Sequence, residues 1–126
     1  MRQERASFAG LQANEGATYR IAVLLGKLFS DAGRITSKIR EDADRRGFTK
    51  PHPEVACLTR EKLSDQELEA MGFWWLVTMH EPIKDSGGVP YLLSAYRGVE
   101  GRELLANYDR PSSRWSHGVG FAFVAS

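Results

Sequence analysis

The sequence holds a single cysteine, Cys57, in 126 residues. With no second thiol, an intramolecular disulfide is excluded, which fits a reducing compartment. Charge of one sign is lacking too: 17 Lys and Arg against 16 Asp and Glu leave a net +1. Dedicated DNA-binding domains are usually more basic, with their cations clustered on one face. A DNA mimic would need a strong acidic excess. No apolar run exceeds five residues, Ile21-Ala22-Val23-Leu24-Leu25 among them, against the ~20 that span a bilayer. The charged start Met1-Arg2-Gln3-Glu4-Arg5 is not followed by the ~7–15 apolar residues of a signal peptide. A cytoplasmic protein with no membrane partner is the expectation. Internal repeats and low-complexity segments are absent.

What is present reads as one globular domain over residues 1–126, with 42% hydrophobic and 26% charged residues, ordinary values for such a chain. The small net charge hides a mild dipole. Residues 1–50 carry ten basic against six acidic residues, 51–71 two against five, and 72–126 five of each.

From Thr18, a plausible N-cap, the apolar positions Ile21, Leu25, Leu28, Ala32, Ile35 and Ile39 step by 4, 3, 4, 3 and 4. This heptad-like spacing predicts a helix running to about Arg46, with Gly47 as its C-cap glycine. A break near Ser30–Gly33, giving two helices, is the alternative. Residues 48–53 form a connector, because each proline pushes its predecessor to an extended conformation. Ser64-Asp65-Gln66-Glu67 has the form of a capping box opening a short helix that Gly72 ends.

Beyond Gly72 the period becomes two. Phe73–Glu81, Tyr91–Arg97, Glu103–Asp109 and Val119–Val124 read as four strands, with Asp85-Ser86-Gly87-Gly88 as a turn and a glycine-bearing hairpin loop at 98–102. Short connections suggest an antiparallel meander. The expected fold class is therefore α+β: a helical part over 1–50, a connector and short capped helix over 51–71, and an antiparallel sheet of about four strands over 72–126. Both faces of that sheet carry large apolar groups, so the spacing leaves open which one meets the helix.

Residues with chemical capacity are scattered. His52, His80 and His117 lack ligand spacing, Cys57 has no CxxC partner, and neither a metal nor a cofactor is expected. His80 reads as a polar end-of-strand residue. Neighbouring Glu81 faces the opposite side and cannot share a ligand with it. Cys57 lies among Val55, Ala56 and Leu58 and reads as a small buried hydrophobe rather than a nucleophile served by His52. Lys27, Arg34, Lys38 and Arg45, spaced 7, 4 and 7, would line one side of the long helix and could neutralise phosphates. Their plainer reading is a solvated face with Lys38–Asp42 and Glu41–Arg45 ion pairs.

The sheet half concentrates Trp74, Trp75, Tyr91, Tyr96, Tyr108 and Trp115 with Arg97, Arg102, Arg110 and Arg114. Tryptophan, tyrosine and arginine dominate protein-binding hot spots, and aromatics interleaved with arginines can stack unpaired bases. The segment Asn107–Trp115 is the densest in contact-making side chains; its plainer reading is a turn around Pro111 with a docked Trp115.

These features point to a small non-enzymatic protein that binds another protein or protein complex. It would be an accessory, regulatory or inhibitory protein of phage or mobile-element type, for instance one that blocks a host nuclease complex. The expected contact residues are Trp74, Tyr96, Arg97, Asn107, Tyr108, Asp109, Arg110, Arg114 and Trp115. Nucleic-acid binding through the basic stripe or the arginine-aromatic sheet is the alternative. A small enzyme using His80 or His117 with Glu81, Asp85 or Asp109 is the third reading. Self-association into a homodimer would run through the apolar stripe 21–39.

Overall fold

The structure is a computed structural model that describes residues 7–12, 18–62, 65–70, 75–98 and 101–125. It is α+β, as the sequence implies, but its architecture differs from the expectation in three respects. No helix among the described residues is long and apolar enough to cross a membrane.

The first correction concerns residues 18–46. Thr18–Leu25 is a strand, β2, paired antiparallel with β1 (Ser7–Gln12) on one side and with β7 (Val119–Val124) on the other. Ile21, Ala22, Val23 and Leu24 are all buried, so the apolar run fills both faces of an interior strand instead of one side of a helix. Two 3-10 turns follow, Gly26–Leu28 and Asp31–Gly33, and only Thr36–Arg45 is helical (α1). Gly26 is required where it stands: a Cβ there would lie 2.7 Å from the Val119 carbonyl oxygen and 2.9 Å from that of Ser116. The chain therefore turns against β7 at a distance that a side chain forbids. The end of α1 is as the sequence implies. Gly47 adopts φ +81°, its N–H donates to the Asp44 carbonyl, and the Phe48 N–H donates to that of Ala43, the paired bonds of a Schellman C-terminus.

The second correction is a helix where a connector was expected. Glu54–Lys62 forms α2. Its first turn is capped by the His52 ring, whose Nδ1 accepts the Glu54 N–H at 3.1 Å. Val55, Ala56, Leu58 and Thr59 are buried, whereas Cys57 is exposed, contrary to its expected place in the core. A short α3, Asp65–Ala70, follows at the position of the expected capped helix. Ser64 and Gly72, its anticipated cap and stop, lie outside the described residues.

The third correction concerns the sheet, which is mixed and not a four-stranded meander. Its other strands are β3 (Trp75–Thr78), β4 (Ile83–Lys84), β5 (Pro90–Gly98) and β6 (Gly101–Tyr108). The path runs β1-β2-β7-β3-β5, with β6 and β4 both on β5. Since β6 pairs with β5 along its whole length, β3 and β4 must share the opposite edge, separated by the break Met79–Pro82. β7 inserts between β2 and β3 and runs parallel to β3. Apolar on both faces, it belongs in the interior and not at an edge.

Each face of the sheet has its own helix. On one, Ile21, Val23, Leu76 and Ala122 pack with Val55 and Leu58 of α2. On the other, Leu24, Val77, Phe121 and Phe123 pack with Ile39 and Ala43 of α1, joined by Trp75 and Trp115. α2 contacts β1 and β6 at the two ends of the order as well as β3 and β5 between them, so the twisted sheet curls around it. The expected dimer stripe 21–39 is not a helix face: Ile21, Leu24 and Ile39 are buried within the chain.

Candidate functional site

Buried polar residues separate the structural side chains from those left available for contact. Arg34, expected on a phosphate-binding stripe, is buried. Its Nε donates to the Gly26 carbonyl (2.8 Å), one terminal nitrogen to that of Phe29 (2.8 Å), and the other to Asp31 Oδ1 (3.0 Å). It pins the two 3-10 turns together and cannot meet a ligand. Lys27 is exposed in the first turn, and Lys38 and Arg45 remain on the exposed side of α1. The expected Lys38–Asp42 pair gives way to Arg45 and Arg46 on Asp42, at 3.0 and 2.7 Å. The four-residue basic stripe therefore does not exist as one surface.

His80, read from the sequence as a polar end-of-strand residue, lies just beyond β3 and is fully buried. The Leu93 N–H donates to its Nε2 at 3.0 Å, so the ring is neutral with its proton on Nδ1, which donates to the Glu81 carbonyl at 2.7 Å. The imidazole supplies β5 with the acceptor that the β3–β4 break removes. Burial pushes its pKa below 6.5, against the opposing hydrogen bond to Glu81. With both nitrogens engaged, the ring offers no base to a substrate. Glu81 pairs with Lys50 at 2.9 Å, and that contact holds its carboxyl below the usual range. His117 is exposed in the turn that leads into β7. Among the described residues no three His, Cys, Asp or Glu side chains group as a metal site would.

The segment Asn107–Trp115 divides residue by residue. The Asn107 side chain accepts the Ser94 hydroxyl at 2.7 Å, and Ser94 in turn accepts the Trp75 indole N–H at 2.8 Å. Asp109 is only 7% exposed and takes Arg40 of α1 in a two-pronged ion pair at 2.8 and 2.9 Å. Trp115 packs edge-on against Trp75 and Phe121, and its indole donates to Thr36 Oγ1 at 2.9 Å. Arg114 is exposed and makes a backbone bridge to Ile35. Asn107, Asp109 and Trp115, expected to contact a partner, are thus spent on the fold.

Tyr108 and Arg110 are not. Cross-strand register places Ile83, Tyr91 and Tyr108 in one row over β4, β5 and β6. The Tyr91 and Tyr108 rings stack with centroids 5.3 Å apart and 27° between planes, and the Arg110 guanidinium lies 4.9 Å from the Tyr108 ring centroid. Ile83 is 43% and Tyr108 53% exposed; among the described residues they are the large hydrophobics left open to solvent. Asp85 borders the row. Its Oδ1 accepts the Gly87 and Val89 N–H groups, both at 2.9 Å, and its Oδ2 the Tyr91 hydroxyl at 3.3 Å. The Val89 bond, foremost, holds the Asp85 carboxyl below its usual pKa, while partial burial and then Asp85 itself push the Tyr91 phenol up. The result is an aromatic shelf with an apolar end, a cationic lid and an ionised carboxylate at its side.

Of the other expected contact residues, Trp74 lies outside the described residues. Tyr96 and Arg97 sit on β5 opposite Glu103 and Arg102, with side chains outside the described set. Ile83 was missed by sequence reasoning. The signal for it was slight, an apolar residue between Pro82 and Lys84 just before a turn cluster. No family model matches the chain, and no curated protein or solved structure matches it.

Proposed function

We propose that this protein acts by binding another protein through the row Ile83–Tyr91–Tyr108 and the adjoining Arg110. One observation carries the reading: the exposed large hydrophobics of the described residues fall in a single cross-strand row, already backed by a stacked tyrosine and an arginine. Scattered apolar residues on a surface need no explanation, but an aligned pair with an aromatic between them is a patch. Tyrosine and arginine are also the residue types that carry binding energy when desolvated. The stack holds Tyr108 in place before contact, which lowers the ordering cost of association. Accessory, regulatory or inhibitory action of phage or mobile-element type, such as occluding a nuclease complex, is the role this reading suits. That step rests on association and not on chemistry.

The test is capture of a tagged chain from its native lysate, with and without nuclease, beside the double variant Ile83→Ser/Tyr108→Ser. A stoichiometric protein that survives nuclease and is lost with the double variant supports the reading. A protein retained equally by both moves the contact elsewhere. Material released by nuclease assigns Tyr108 and Arg110 to base stacking instead.

A further inference from the structure

On the α1 side of the sheet, opposite the tyrosine row, a groove of about 230 Å³ lies between the two 3-10 turns and α1. Its floor is Leu28 and Phe29, both half-buried and packed on the core cluster of α1. Its far wall is one face of α1, where Lys38, Asp42, Arg45 and Arg46 recur at helical spacing. The near wall is held in advance of any ligand. Arg34 ties the carbonyls of Gly26 and Phe29 and the carboxylate of Asp31 together, and the Gly33 N–H donates to the Ser30 hydroxyl at 3.1 Å.

The charge of the lining decides what could enter. Lys38, Arg45 and Arg46 face Glu41 and Asp42, which leaves one net positive charge. Asp42 lies between two guanidiniums, taking Arg45 at 3.0 Å and Arg46 at 2.7 Å. A guanidinium carries five N–H donors, so the one bond to Asp42 leaves most of those on Arg45 for another acceptor. Arg45, with a side chain 68% exposed, is free to turn toward an incoming oxyanion. Cations above an apolar floor select a molecule with a charged head and an apolar body. Inorganic anions would leave the floor wet, and neutral apolar molecules would leave the guanidiniums unmatched.

We propose that this groove is a binding site for a small organic oxyanion, its head taken by Arg45 and Lys38 and its aromatic or aliphatic body by Leu28 and Phe29. Asp42 is then an internal competitor for the Arg45 guanidinium.

The test uses phenyl phosphate titrated into the ¹⁵N-labelled full chain, with inorganic phosphate as the headgroup-only control. The expected result is saturable shifts at Phe29, Lys38, Arg45 and Arg46, with at least tenfold weaker binding of inorganic phosphate. Arg45→Gln should weaken phenyl phosphate at least tenfold. Asp42→Asn should tighten it several-fold, a sign that a merely structural Asp42 would not produce. If Asp42→Asn fails to fold, Arg45→Gln carries the test, since that side chain is largely exposed. Shifts that do not saturate, equal affinity for inorganic phosphate, indifference to Arg45→Gln, or weaker binding in a folded Asp42→Asn each overturn the proposal.

Discussion

The two sides of the sheet treat the same kinds of side chain in opposite ways. Beneath α1, Arg34, Arg40 and Asp109 are drawn in and matched to partners. Across the sheet, on the face that packs against α2, Tyr108 and Arg110 stand exposed, stacked with each other and with Tyr91. Strand geometry makes the division. Successive side chains point to opposite faces, so Tyr108 and Asp109, neighbours in sequence, serve solvent and core respectively. A polar side chain drawn in specifies the fold, and an aromatic one left out becomes available for contact.

That contrast can be broken by substitutions whose stability effects should descend in order. The largest belongs to Arg34→Met, which takes the guanidinium donors from the carbonyls of Gly26 and Phe29 and leaves the Gly26 carbonyl with the Phe29 N–H. Urea unfolding should show a loss of about 3–4 kcal/mol, and a loss below about 1 kcal/mol would mean that the two turns hold themselves. Next is Asp109→Asn, which strands the Arg40 guanidinium. Because Arg40 is 24% exposed, the loss should fall below the roughly 3–5 kcal/mol of a fully buried pair, at about 2–3 kcal/mol.

His80 sharpens the comparison through pH. Its folded pKa lies below 6.5, so the unfolded chain binds the proton more readily. Stability is therefore full above pH 6.5 and falls as pH drops through the window down to the folded value. The slope from this one group reaches at most about 1.4 kcal/mol per pH unit. His80→Gln, whose amide can both accept from Leu93 and donate to Glu81, should flatten that part of the profile. An unchanged slope in the variant would assign it to the carboxylates.

The smallest stability effect is expected on the exposed side. Tyr108→Ser should cost no more than the stacking contact, about 0.5–1.5 kcal/mol, with Arg110→Ala smaller still. A loss from Tyr108→Ser as large as that from Asp109→Asn would erase the distinction between the two sides.

The sequence made some of this architecture legible, for physical reasons that differ by element. β5, β6 and β7 show their period of two between clear turn residues, and β7 matches residue for residue. β2 was hidden because a strand buried on both faces has no period: Ile21–Leu25 is apolar throughout. Its extension to Ile39 at helical steps arose from turn residues that happen to fall in phase. α2 was hidden by Pro51 and Pro53, which mark a connector and also the entry to a helix. At the site, aromatic and arginine composition put Tyr108 and Arg110 among the candidates but could not separate their exposed side chains from the packed ones of Asp109 and Trp115. The partners that bury those two, Arg40 and Thr36, lie 69 and 79 residues away in sequence. Only the fold brings them together.

The place of β7 governs how the chain reaches its native state. β2 and β3 have no contact ladder of their own; each pairs with residues 119–124, which come after both in the chain. Until those residues dock, the early strands and the β3–β5–β6 group are separate fragments, each with an open edge. Closing the sheet is a late, long-range event, and topologies dominated by such contacts fold slowly. β7 acts as a keystone: a chain in which it is not docked leaves β2 and β3 with open edges, the form most exposed to faulty pairing with other chains.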